Sequence, residues 1–174
     1  MKKTVIVING AGGVGKDTLC ELAAKHFRVY NTSSITPIKE LAAQCGWHGE
    51  KDDKARKFLS DLKRLTVEYN DFPTRWACDR YNEFLSSDCE IMFLHIREGE
   101  EIEKFVRATE GVAKTLLIRG GERFANQRKM PYGNVSDDLV EQYDYDYYFN
   151  NDKTLDEAEK EFVALLEDIV KEVG

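Results

Sequence analysis

No stretch of the 174-residue chain approaches the roughly 20 apolar residues of a membrane span, so no transmembrane helix is expected. Cysteine is sparse. Cys20, Cys45, Cys78 and Cys89 are widely spaced with no C-x-x-C pair, which argues against a disulfide framework and for reduced thiols acting as small apolar groups. Positive charge is in the minority, 25 Lys and Arg against 32 Asp and Glu, a net −7 that argues against wholesale binding to nucleic acid or an anionic membrane. There is no internal repeat and no low-complexity tract. Of the three prolines, Pro37 and Pro73 stand where helices are expected to begin. The apolar run behind Met1-Lys2-Lys3 is too short for a signal peptide, so the expected location is the cytoplasm. What remains is the composition of a soluble globular protein, 42% hydrophobic and 33% charged, of a length expected to form one domain over 1–174.

Against that background the stretch Gly10-Ala-Gly-Gly-Val-Gly-Lys-Asp-Thr18 stands out. It follows Thr4-Val5-Ile6-Val7-Ile8, which has the length and β-branched content of a buried parallel strand. It precedes Leu19, Leu22, Ala23 and Phe27 at helical spacing. Strand, glycine-rich loop and helix are the context a phosphate-binding loop requires. Backbone amides of Gly10, Gly12, Gly13, Val14 and Gly15 can close around phosphate oxygens, the helix N-terminus adds its positive end, and Lys16 can reach the outer phosphates. The usual hydroxyl after the lysine is displaced by one place: Asp17 stands there and Thr18 follows. Thr18 is the stronger candidate for a magnesium shell. Asp17 either reaches the metal, through water, or serves as a first-turn helix acid.

Strands alternate with helices along the rest of the chain. Arg28–Thr32, Ile91–Ile96, Lys114–Ile118 and Tyr145–Phe149 read as strands. Helices are expected from Pro37 to a stop at Gly46, over Asp53–Asn70 with Ala55, Phe58, Leu59, Leu62, Leu65 and Tyr69 on one face, and from Pro73 through Leu85. Another carries Ile102, Phe105 and Val106 inward. The last opens on the capping box Thr154-Leu-Asp-Glu157 and carries Leu155, Ala158, Phe162, Leu165, Leu166, Ile169 and Val173 on one face. Ser136-Asp137-Asp138 reads as a further helix cap. The pattern predicts a three-layer α/β/α fold with a five-stranded, mostly parallel sheet.

Phosphoryl transfer needs cations to neutralise phosphate, a metal and exclusion of water. The segment 119–135 holds Arg119, Arg123, Arg128 and Lys129 against the single acid Glu122, with Gly120-Gly121 and Pro131 and Gly133 at its ends, the makings of an arginine-rich lid. Arg97 follows the end of an apolar strand, where open parallel sheets bind ligands; a surface pair with Glu98 or Glu101 is its other reading. His95 on that strand reads as a partly buried histidine before a catalytic base. Ser34, Lys39, Arg56 and Arg75 lie in 33–88, the helical region between strands where an acceptor would bind.

The chain resembles the P-loop nucleoside and nucleotide kinases. Adenylate-kinase-like loops end Gly-Lys-Gly-Thr, with the same displaced hydroxyl, and deoxynucleoside monophosphate kinases of phage and animal-type phosphomevalonate kinases share Gly-Lys-Asp. Phe93–Glu101 is similar to that branch's strand ending Asp-x-Arg with a later Glu, Leu116–Arg119 to its next strand, and Tyr145–Asp152 to its Phe-Asp-x-x-Ile-x-Asn-x-Gly run. The chain departs from the branch at His95, where the branch has Asp. The resemblance implies ATP, Mg2+, a lid and a phosphate-bearing small-molecule acceptor, in a monomer or homodimer. A (deoxy)nucleoside monophosphate is the leading acceptor. A non-nucleotide phosphorylated metabolite, or an ATP-binding sensor or switch without turnover, are the alternatives; a GTPase is disfavoured because Asn150-Asn151-Asp152-Lys153 is not Asn-Lys-x-Asp.

Overall fold

The computed structural model describes residues 2–120 and 140–174. Strand β1 (Thr4–Asn9) is buried along its whole length, as a continuous β-branched run must be when helices cover both faces of a sheet. It lies at the centre of a five-stranded sheet of order β2-β3-β1-β4-β5, with β2 at Val29–Ser33, β3 at Ile91–His95, β4 at Lys114–Gly120 and β5 at Tyr147–Asn151. Every pairing is parallel, so the expected sheet is confirmed and is parallel throughout.

Alternate residues of the three central strands feed two cores. Ile6, Ile8, Ile91, Phe93, Leu116, Ile118 and Phe149 pack under α1 (Lys16–Ala23) and the last helix, α6 (Leu155–Val173), which contributes Ala158, Phe162, Leu166 and Ile169. Val5, Val7, Met92, Leu94 and Leu117 pack on the opposite face with Ala77 and Phe84 of α4 (Phe72–Ser86) and Ile102 and Phe105 of α5 (Gly99–Ala108). Helices α2 (Thr36–Gln44) and α3 (Asp53–Asn70) extend from the second face beside α4. The Thr154 hydroxyl accepts from the Glu157 amide, confirming the N-terminal cap of α6, and Asp52 Oδ1 accepts from the Ala55 amide at the head of α3.

Four expectations need correction. Strand β4 runs on to Gly120, because Arg119 and Gly120 pair in register with Asn150 and Asn151; Arg119 is therefore strand, not the first residue of a loop. Strand β5 begins two residues later than expected. Before it, Tyr145 turns into the core, and the Asp146 carboxylate takes hydrogen bonds from the Thr115 amide and hydroxyl in place of a ladder bond. Leu155 is 55% exposed, since the first residue of α6 lies beyond the rim of the core. Helix α3 buries no residue at all: its expected apolar face leaves Leu65 54% and Tyr69 85% exposed. Arg123, Arg128, Lys129 and the Ser136–Asp138 cap lie outside the described residues.

Candidate active site

The chain leaves β1 at Gly10 and turns into α1 at the C-terminal end of the sheet, the edge at which open parallel sheets bind ligands. Gly10 cannot carry a side chain there: a Cβ would lie 2.8 Å from the Ile118 carbonyl oxygen and 2.9 Å from Val14 Cγ2. Gly13 and Gly15 have φ of 80° and 83°, left-handed backbone that favours glycine. Val14 is the loop's anchor; its side chain is buried in the core and its carbonyl accepts from Asn151 Nδ2 at 2.9 Å. Helix α1 starts at Lys16 with no side-chain cap, and its first intrahelical bond is Leu19 N–H to Gly15 O at 3.0 Å. The amides before Leu19 thus have no helical acceptor and sit at the positive end of the helix dipole.

These residues line a cavity of about 700 Å³ together with Asn31, Thr32, Ser33, Ile35, Thr36, Lys39, His95 and Arg97. Three sequence-expected cations, Lys16, Lys39 and Arg97, thereby share one wall system with the loop. Asp17 is the one carboxylate among the described lining residues, and both it and Thr18 are exposed. Their hard oxygens suit magnesium, which takes few protein ligands and keeps water and phosphate oxygens as the rest. Among the described residues no group of three or more His, Cys, Asp or Glu side chains could hold a metal ion.

His95 is held, not loose. Nε2 lies 2.7 Å from Asn31 Oδ1, Nδ1 lies 3.9 Å from Asp17 Oδ1, and the side chain is 11% exposed. Burial, aided by the nearby Lys16 charge, pushes its pKa down to about 4, so the ring is neutral near pH 7. It supplies no positive charge to the cavity. Cys20, beneath it, is a buried thiol raised to about 12 by the same desolvation, which makes it unreactive.

A second cavity of about 660 Å³ lies between α3 and the head of α5, lined by Ser60, Lys63, Arg64, Val67 and Glu68 on one side and Arg97–Glu101 with Gln142 and Tyr143 on the other. Lys63 pairs with Glu98, tying α3 to the start of α5. Arg97 is the one described residue that lines both cavities.

The remaining expected residues are elsewhere. Ser34 is buried and donates its amide to the His95 carbonyl at 3.1 Å, extending the β2–β3 ladder, and it lines neither cavity. Arg56 and Arg75 are exposed on α3 and α4 and also line neither. Arg119 stacks 4.6 Å over the Tyr148 ring and holds Glu141 through two nitrogens, Nε at 3.1 Å and Nη2 at 2.9 Å, which occupies it outside both cavities. Sequence reasoning missed Asn9 and gave Asn151 no role. The available signal was a polar amide ending an otherwise apolar strand, beside a loop that needs its backbone held.

No family model and no curated protein matches the sequence. Solved structures do. A Chloroflexus aurantiacus J-10-fl protein with a provisional kinase description superposes with a TM-score of 0.55 at 14% identity, covering 99% of this chain and 98% of that one. An unliganded sugar kinase from Janibacter sp. HTCC2649 gives 0.51 at 15% identity over 99% and 98%. The chain thus has the three-layer α/β/α fold of small P-loop kinases. At this identity the likeness speaks for the fold alone.

Proposed function

We propose that this protein is an ATP-dependent kinase that phosphorylates a small phosphate-bearing acceptor, with a (deoxy)nucleoside monophosphate as the leading class. The observation that carries the reading is the placing of Arg97 between two cavities, one walled by the phosphate loop and one by the helical region between β2 and β3. The loop amides beyond Gly10, whose own amide is held by Asn9 Oδ1, and Lys16 would hold the β and γ phosphates of ATP. Thr18, with Asp17 beside it, would hold the magnesium that comes with them and offsets phosphate charge. Arg97 then faces both the donor's terminal phosphate and the acceptor's phosphate, where a guanidinium can neutralise charge that builds between them. Lys39 adds a second cation on the donor side. Arg123 and Arg128 are the lid cations of this reading.

The acceptor class rests on the sequence resemblance together with the mixed lining of the second cavity, where Arg97, Lys63 and Arg64 can meet phosphate, and Glu68 and Glu100 can meet hydrogen-bond donors of a base or sugar. The test is ADP release measured with ATP, Mg2+ and a panel of nucleoside monophosphates and non-nucleotide phosphorylated metabolites. Turnover that requires a nucleoside monophosphate supports the full reading. Turnover only with a non-nucleotide acceptor keeps the kinase and replaces the acceptor. Hydrolysis without acceptor makes the protein a switch, and binding without either makes it a sensor.

A further inference from the structure

The side chain of Asn9 joins the two halves of the site. It is fully buried at the end of β1, and its Oδ1 accepts from the Gly10 amide at 2.8 Å, the first residue of the phosphate loop. Its Nδ2 donates to the Arg97 carbonyl at 2.9 Å and to Tyr145 Oη at 2.9 Å. The Tyr145 hydroxyl in turn donates to the Val140 carbonyl at 2.8 Å, while its ring packs edge-on against Tyr143 and Tyr148. Four bonds of normal length therefore tie the loop entry, the backbone of Arg97, the approach to β5 and Val140 into one unit, three of them buried and the Asn9–Arg97 bond part-buried. Tyr145 accepts from one side and donates to the other, so its hydroxyl has a single orientation, and that orientation fixes the Asn9 amide plane. In a dry interior such a chain is stiff, because swinging any member leaves a buried polar group unpaired.

We propose that Asn9, held by Tyr145, is the positioning residue that sets Arg97 relative to the phosphate loop. Neither side chain lines the cavity, so neither touches substrate. Their effect passes through the backbone at Gly10 and Arg97. The proposal rests on the phosphoryl-transfer reading for its catalytic consequence, though the positioning itself can be measured without turnover.

The test uses the full chain with Tyr145→Phe, which keeps the ring and removes only the hydroxyl, and Asn9→Ala, which removes the junction. Hydrogen exchange read on peptides covering 10–15 and 96–99 should accelerate in both, by about tenfold in Asn9→Ala, with exchange in α6 unchanged. Where turnover is measurable, Asn9→Ala should lower kcat by roughly tenfold to a hundredfold while the Kd for a non-hydrolysable ATP analogue stays within about twofold. In an Arg97→Ala background the same change should lower kcat by less than about threefold, since the group it positions is gone. Unaltered exchange at both peptides in a folded Tyr145→Phe and a folded Asn9→Ala overturns the proposal. So does a multiplicative loss in the Arg97→Ala background. If wild type transfers phosphoryl to no acceptor, the kinase reading falls and the exchange result still decides the network.

Discussion

The two sides of the proposed site are built differently. On the donor side, the loop grows out of a strand with no exposed residue, its Val14 is plugged into the core, and α6 packs against it with Phe162 stacked on Phe93 and edge-on to Phe149. On the acceptor side, no residue of α3 is fully buried, and the helix carries ion pairs of Lys63 with Glu98 at the head of α5, Lys57 with Asp61 and Arg64 with Glu68. Dense apolar packing resists small displacements, whereas solvent-exposed ion pairs give little stability and little rigidity. The donor side is thus built to hold one geometry, and the acceptor side to tolerate adjustment. In the proposed kinase reading, that division suits a constant donor held on a fixed loop and an acceptor region that can adjust.

Stability should expose the contrast most strongly. Phe162→Ala removes a fully buried ring from between β3 and β5, and should destabilise the fold by about 3–5 kcal/mol in urea unfolding. A loss below about 1 kcal/mol would mean that the donor-side core is not the rigid partner described here.

Function should divide the other way. Lys16 is half-buried in the loop and contributes to no core cluster, so Lys16→Ala should leave the melting temperature nearly unchanged and remove more than a hundredfold of acceptor-dependent turnover, about 3 kcal/mol of transition-state stabilisation. Comparable turnover in a folded Lys16→Ala protein would remove the loop from the chemistry. Within the loop, Thr18→Ala should weaken magnesium-dependent ATP binding more than Asp17→Gly does, as measured by titration calorimetry at fixed magnesium. The reverse order would make Asp17 the metal ligand.

His95 allows the donor side to be probed by pH. Its folded pKa of about 4 lies below its ordinary value of 6.5, so between those values the unfolded chain binds more protons than the folded one. Stability therefore rises with pH through that window, and acidification from pH 7 to pH 4 should remove up to about 3 kcal/mol in the nucleotide-free protein. His95→Gln should flatten this part of the pH profile of urea unfolding. An equal slope in wild type and variant would show that His95 is protonated as readily in the fold as outside it.

Much of the donor side was legible in the sequence because its determinants are local. A β-branched run, glycines at fixed spacing and a lysine at the head of an amphipathic helix specify strand, loop and dipole together, and Thr154 with Glu157 announces α6 as plainly. The acceptor side was legible as helices but not as a site. Arg56 and Arg75 were as prominent in the sequence as Lys63 and Arg64, yet which residues meet across a cavity depends on how α3 and α5 cross, and no local pattern carries that. Asn9 illustrates the same limit, since one buried amide gains its meaning from Arg97 and Tyr145, far along the chain. Arg119 shows a milder case: its place in β4 is decided by pairing with Asn150, a partner set by the sheet and not by its neighbours in sequence.

The smallest expected effect tests the acceptor side directly. Phe58, Leu65 and Tyr69 recur at helical spacing along α3 and are 36%, 54% and 85% exposed among the described residues. An apolar stripe that contributes packing would lose stability when made polar, whereas one left in water would not. Leu65→Ser should therefore change the unfolding free energy by no more than about 0.5 kcal/mol, the range of ordinary surface substitutions. The comparison with Phe162→Ala is internal, since both are apolar residues on helices of the same fold and differ chiefly in burial. A loss above about 1.5 kcal/mol for Leu65→Ser would mean that the stripe is covered in solution, and the acceptor side would then be as firmly packed as the donor side.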